Sequence, residues 1–383
     1  YNITLTIDAD LQKAAWEAVQ GKAGSVVVMD PRNGEVLAMI SSPSFDPNLF
    51  YEGISEEEWN LLQSNPFAPL SNKAISGQYP PGSTYKLIVA AAALEEGIIT
   101  PETKIFCNGF FTLGNRTYRC WRKGGHGSVN LRQAMIGSCD VYFYTVGKML
   151  GVDKIAEYAK RFGLGELASI DLPNEKQGLI PTKEWKMKKK KEAWQMGETI
   201  SISIGQGYNL VTTLQLANAF GAFANGGTLW QPYLVRHIHS HDGKIYKEFS
   251  SAKRGELKLS ANTIEILNDA LKGVVNDPGG TGQNAKLSGI EVCGKTGTSQ
   301  VMGLPQDEKA RRRKILGTFQ KDHALFACYA PAKNPEIAVA VILENAGGGG
   351  AVAAPVARKI LSAYFEIKKK NKNKPSETVA HHQ

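Results

Sequence analysis

The apolar positions of this chain change period along its length. Between Asp8 and Gln20 they recur at helical spacing, with Leu11, Ala14, Ala15, Ala18 and Val19 on one stripe, which predicts an amphipathic helix. The next apolar runs, AGSVVVMD and EVLAMISS, are short and joined by PRNG, the pattern of two strands in a hairpin. A polar, aromatic-sprinkled connection leads to SGQYPPGSTYKLIVAAAALEEG at 76–97. There, two prolines and Gly82 punctuate the entrance of a helix that is apolar from Tyr85 onward. From 129 to 275 the pattern is mostly helical, and TTLQLANAFGAFANGG has a threonine cap and Asn225-Gly226-Gly227 as its stop. Strand-like runs return in GIEVCGKTGTSQ, HALFACYAP and EIAVAVILENA, and APVARKILSAYFEI closes the pattern as a helix.

Two strands near the start and three near the end predict an α+β fold with one sheet built from both chain ends. Helices cover the sheet, and a helical lobe, roughly 84–275, is inserted between its halves. A single domain is expected over 1–366, followed by a basic, disordered tail at 367–383. Residues 301–322 are a long polar connection without periodicity, which reads equally as a flap over a cleft or as disorder.

Composition narrows the class. Hydrophobic content of 42% and charged content of 21% describe an ordinary globular chain, and no apolar run approaches the ~20 residues of a membrane span. The opening YNITLTIDADLQ lacks a methionine, so it reads as the interior of a longer protein whose anchor or export signal lies outside it. The net charge of +9 is concentrated in KMKKKK, RRRK and KKKNKNK, which read first as solvated faces and second as attraction to an anionic polymer or membrane surface. Without an RNP-type aromatic motif or zinc-finger spacing, no nucleic-acid partner is expected. The glycine clusters GQGYNL, PGGTGQ and NAGGGG lack the continuations of a nucleotide fingerprint. Gly205, Gln206 and Gly207 are expected to shape a turn near the cleft. Trp121, Trp185 and Trp194 read as packing first and groove lining second.

Candidate chemistry begins with Lys86. A lysine in the first turn of a helix opposes the dipole, yet at i+3 from Ser83 it shares a face with that hydroxyl. A serine needs a base before it can act as a nucleophile, and a desolvated lysine can serve. Alone, S-x-x-K is a weak signal. It is followed in order by Ser138-Cys139-Asp140 within GSCDVYFY and by Lys295-Thr296-Gly297-Thr298 within a strand-like run. Gly297 is expected to admit a substrate backbone closely, and Lys295 with Thr296 or Thr298 to hold a carboxylate.

These three motifs in this order resemble the serine β-lactamase and penicillin-binding protein signature. TIDADLQ, MDPRNGEVLAMISSPSFDPN, SIGQGYNLVTTLQLANAFGAFANGG and HALFACYAP extend the likeness, over nearly the whole chain, to class B penicillin-binding protein transpeptidase domains. SCDVYFY with GHGSVNL upstream most resembles the elongation-type penicillin-binding protein 2. The resemblance implies a serine β-lactamase/penicillin-binding transpeptidase fold: a five-stranded antiparallel sheet, helices on both faces and an inserted helical lobe. It implies a peptidoglycan D,D-transpeptidase of cell-wall synthesis and cell-shape maintenance. Such an enzyme acts on D-Ala-D-Ala stem peptides, is acylated by β-lactams, and works beside a membrane glycosyltransferase. It further implies a site on the outer face of the cytoplasmic membrane, an amino-terminal membrane helix and a pedestal domain. Residue by residue, Ser83 is the implied nucleophile, Lys86 its base and Ser138 a proton relay. The N–H groups of Ser83 and Thr298 form the implied oxyanion hole, and Lys295, Thr296 and Thr298 the carboxylate site. Asp140 departs from the usual asparagine; when ionised it cannot donate as an amide does, and pairing with Lys86 is an alternative.

Five cysteines are present, three of them in Cys107-x12-Cys120-x5-His126-x12-Cys139. This spacing admits a Cys3His metal set, a Cys107–Cys120 disulfide or buried thiols. The resemblance favours the first, because some relatives of penicillin-binding protein 2 carry a structural zinc at matching positions. Catalysis itself requires no cofactor. Cys293 and Cys328 read as packing. The same Ser83, Lys86 and Lys295 would also serve a D-alanyl-D-alanine carboxypeptidase, a β-lactamase or a β-lactam sensor. No E-x-x-L-N deacylation motif lies between the second and third motifs.

Overall fold

The computed structural model describes residues 1–51, 53–300 and 321–372. Its centre is a five-stranded antiparallel sheet. Two strands come from the start of the chain, β1 (Gly24–Met29) and β2 (Val36–Ser42), and three from its end, β3 (Cys293–Ser299), β4 (His323–Ala330) and β5 (Ile337–Leu343). Their spatial order is β3-β4-β5-β1-β2, which leaves β3 at one edge. An antiparallel sheet usually wets one face and alternates apolar with polar residues. Here both faces are covered, which is why SVVVM and IAVAVIL read as unbroken apolar runs. Val26, Val28, Phe326 and Val339 pack toward α1 (Ala9–Ala18), while Val27, Leu325, Ala327 and Ala340 pack into the helical side.

The helical side is built on α2 (Lys86–Glu95), whose residues Lys86 to Ala93 are all buried. Its alanines let neighbouring helices approach closely. Around it lie α3 (Leu131–Ile136), α4 (Asp140–Leu150), α5 (Thr213–Ala224) and α6 (Ala261–Asn276). Thr212 and Gln215 form a capping box at the start of α5, in accord with the threonine cap expected from the sequence.

Two expectations change. The stretch from 129 to 275 also contains short strands, Thr228–Trp230 with Lys253–Glu256 and Val235–His239 with Ile245–Glu248. At three to five residues each, they are too short to leave a period. The tail beginning at 367 is not all irregular, because the closing helix α7 (Gly349–Lys372) takes in its first six residues. Ile367 packs against the core, Lys368 pairs with Glu336, and lysines in the last turn suit the negative helix end. The flap expected at 301–322 falls almost wholly outside the described residues, as does the tail beyond Lys372.

Candidate active site

Ser83 lies in a 3-10 turn, Gly82–Tyr85, that runs directly into α2 at Lys86. With three residues per turn, positions i and i+3 eclipse, so the two side chains stack on one side. The turn sits against the outer edge of β3. Gly82 has φ +54°, and a Cβ there would lie 2.6 Å from the Thr298 carbonyl oxygen. Gly82→Ala is therefore expected to cost about 1–2 kcal/mol of backbone strain and to push the turn off β3. A lowered Tm together with slowed acylation would register both effects; unchanged acylation would mean that the turn tolerates displacement.

Lys86 is fully buried and its ammonium has a partner for each proton. Nζ donates to Asp140 Oδ1 at 2.7 Å, to the Ser138 carbonyl at 2.9 Å and to Ser138 Oγ at 3.2 Å. The sequence left Asp140 open between two roles; the structure places it in an ion pair with Lys86. Ser83 Oγ makes no hydrogen bond among the described residues, so the hydroxyl is unencumbered. Ser138 holds a left-handed backbone, φ +51°, which is rare outside glycine and typical of strained functional positions.

Lys295, fully buried on β3, completes the group. Its amine donates to the Thr296 carbonyl at 3.3 Å and makes no ion pair among the described residues. Burial, then the charge of Lys86, push its pKa well below the usual lysine range, and Asp140 opposes them. Strand alternation turns Thr296 to the other side, where its hydroxyl donates to Thr281 Oγ1 at 2.9 Å. Thr298 is exposed and receives a long contact, 3.5 Å, from Gly349 N–H. Gly297 is tightly packed against the chain itself. A Cβ there would meet the Pro81 carbonyl at 3.0 Å and Leu325 at 3.0 Å, so its smallness seats the Ser83 turn on β3.

Cys107, Cys120, His126 and Cys139 converge behind this group, their ligand atoms all within 4.8 Å of one another. His126 Nδ1 lies 3.7 Å from Cys107 Sγ and 3.5 Å from Cys120 Sγ. Its Nε2 is 3.1 Å from the Gly137 carbonyl; with the proton there, Nδ1 presents a lone pair to the thiols. The hydrogen bond from Cys139 draws Cys120 down to about 5 and pushes Cys139 up. A tetrahedral zinc with bonds of ~2.3 Å spaces its donors roughly 3.8 Å apart, so the set fits such an ion. Cys293 and Cys328 are buried in the core.

Sequence reasoning missed the role of Trp121. Its backbone N–H donates to Asp140 Oδ2 at 2.9 Å, and its indole N–H lies 3.1 Å from both the Gly137 and Ser138 carbonyls. Asp140 and the Ser138 carbonyl are thus each shared between Lys86 and Trp121. The available signal was position, since Trp121 follows Cys120 directly. Trp185 and Trp194 pack around Tyr208, with ring centroids 5.1 and 6.4 Å away.

This architecture is the serine β-lactamase/penicillin-binding transpeptidase fold. Residues 24–362 match the family model described as penicillin binding protein transpeptidase domain, and the chain belongs to that family, within its class B, PBP2-like branch. It is 39% identical to the peptidoglycan D,D-transpeptidase MrdA of Acinetobacter baumannii, over 98% of this chain and 55% of that protein. The chain thus spans little more than half the length of that curated relative. PBP2 of Pseudomonas aeruginosa, solved in complex with WCK 5153, is 38% identical with a TM-score of 0.84, covering 94% of this chain and 78% of the other. PBP2 of Helicobacter pylori, solved in complex with MreC, is 31% identical with a TM-score of 0.84, over 96% and 64%.

Proposed function

We propose that the chain is the catalytic part of a peptidoglycan D,D-transpeptidase, which cross-links stem peptides through an acyl-enzyme on Ser83 and is acylated by β-lactams. The observation that carries this reading is the convergence of Lys86, Ser138, Asp140 and Lys295, three of them ionisable and buried, beside a serine whose hydroxyl has no partner among the described residues. Lys86 Nζ donates to Asp140 Oδ1 at 2.7 Å and to Ser138 Oγ at 3.2 Å. Held in this way and one turn from Ser83, the Lys86 amine is the base that would take the proton of Ser83 as Oγ attacks the penultimate D-alanine carbonyl. The N–H groups of Ser83 and Thr298 receive the oxyanion. That proton then passes by way of Ser138 Oγ to the leaving D-alanine amine, and an acceptor amine attacks the ester to form the cross-link. The terminal carboxylate of the donor belongs beside Lys295, where it would supply an anion that no described residue gives this buried amine. Thr298 lies on the exposed edge for the same carboxylate, whereas Thr296 would have to release Thr281 to take part.

The Cys3His set would hold a structural zinc that fixes the chain behind Ser138 and Asp140. No reaction step passes through it. Cell-wall elongation and shape maintenance, an anchor in the cytoplasmic membrane with this part on its outer face, a glycosyltransferase partner and a scaffold partner of the MreC kind complete the reading. The MrdA relative supports the transpeptidase activity, and the complex of Helicobacter pylori PBP2 with MreC supports a partner of that kind. Among the described residues no helix is long and apolar enough to cross a membrane, so the anchor would lie outside them.

Intact mass measured over hours after brief exposure to benzylpenicillin tests the proposal. A persistent adduct mapping to the peptide that contains Ser83 is expected. An adduct that disappears within seconds while antibiotic is consumed would instead indicate a β-lactamase.

A further inference from the structure

We propose that Gln206 is a positioning residue for the oxyanion hole, acting by strapping the turn that carries Ser83 to the end of β3. The inference rests on the acyl-transfer reading above. The two expected oxyanion donors come from segments far apart in sequence, the Gly82–Tyr85 turn and strand β3, and their separation must be held. A donor is effective within 2.7–3.1 Å of the oxyanion, so a small drift between the segments weakens one of the two bonds.

One two-residue loop grips both segments. Gly82 N–H donates to the Gly205 carbonyl at 2.9 Å, immediately before Ser83. The Gln206 side-chain amide donates to the Thr298 carbonyl, also at 2.9 Å. Because β3 is an edge strand among the described residues, none of them forms a further strand beyond it to bond that carbonyl. The close approach of Gly82 to Thr298 described above shows that this carbonyl faces the turn, within reach of Gln206.

The strap stands on a fixed base. Gly205 N–H donates to Ile202 O at 2.9 Å and Gln206 N–H to Ser201 O at 3.1 Å, at the end of the helix Met196–Ile202. Asn209, fully buried, donates to Ile202 O at 3.0 Å, and Tyr208 is packed against Trp185 and Trp194. A side chain on such support can transmit force to β3, which a floppy loop could not. Gln206 therefore acts through Thr298, and its loss should affect bond formation more than encounter.

Acylation is to be followed on the full chain across benzylpenicillin concentrations, which separates the noncovalent dissociation constant from the acylation rate constant. Gln206→Met keeps the shape and removes the donor; it should lower the rate constant about tenfold while leaving the dissociation constant within about twofold. Gln206→Glu places acceptor against acceptor at neutral pH and should lose more. Gln206→Asn, one methylene short, should fall between wild type and Gln206→Met. In Gln206→Met and Gln206→Glu, amide hydrogen exchange in residues 293–300 should quicken relative to wild type. Weaker binding at an unchanged rate constant would overturn the proposal and make Gln206 a substrate contact. Unchanged kinetics and exchange in both variants would remove the strap altogether. If wild-type protein is not acylated, the acyl-transfer reading fails, and the exchange measurement still decides whether Gln206 ties β3 to the turn.

Discussion

Lys86→Ala is expected to abolish acylation and also to lower stability by about 3–5 kcal/mol, an outcome that a mobile or solvent-exposed lysine would not give. Lys86 is fully buried and Asp140 is 7% exposed, so the substitution leaves a carboxylate in a poorly hydrated place with Trp121 N–H as its remaining donor. Breaking a buried ion pair from one side costs more than removing both charges, because the orphaned partner retains its desolvation penalty. Lys86→Ala combined with Asp140→Asn should therefore recover much of the lost stability and none of the acylation. Denaturant unfolding of the two variants, beside labelling with a fluorescent penicillin, separates the effects. Labelling at the wild-type rate in Lys86→Ala would remove Lys86 from the role of base. Equal stability of the single and double variants would mean that Asp140 does not stay charged when alone.

The pair also illustrates what could be read without coordinates. Ser83, Lys86, Ser138 and Lys295 announce themselves because their chemistry belongs to side-chain type and helix or strand spacing. Four of the five central strands were legible for a related reason, since a sheet buried on both faces demands apolar runs, while the edge strand Cys293–Ser299 is marked by its motif instead. Asp140 stayed ambiguous because its partner is 54 residues away, and only the packing of α2 against α4 makes them neighbours. Trp121 and Gln206 were harder still. Trp121 acts partly through a backbone N–H, which every residue but proline carries, and Gln206 through a carbonyl that looks like any other in the sequence. Gly297 reads in the sequence as a place where a substrate backbone comes close, and the structure adds a neighbour that no local pattern announces. It is the Pro81 turn of this same chain. The helix through 367–372 was obscured by composition, since lysine-rich sequence suits both a solvated tail and the last turn of a helix.

The second large effect is expected at the Cys3His set. Protein purified without chelators should carry about one zinc per chain by elemental analysis, and Cys107→Ser should lose it. Isolated zinc-finger peptides gain about 10–16 kcal/mol from their ion. This chain has an extensive core of its own, so the loss should be a fraction of that, read as a clear drop in Tm. Acylation should slow as well, although Cys107 touches no reacting group. Cys120 precedes Trp121, whose N–H binds Asp140, and Cys139 stands between Ser138 and Asp140, so loosening the set frees both anchors of Lys86. Thiol titration distinguishes the alternatives. A Cys107–Cys120 disulfide would leave three of the five cysteines reactive in unfolded protein, whereas a metal set or buried thiols would leave all five. Three reactive thiols with no bound zinc would overturn the metal assignment. Five with no zinc would leave the cluster as packing, and in that case Cys107→Ser should not slow acylation through metal loss: chelator treatment of wild-type protein would change neither Tm nor rate.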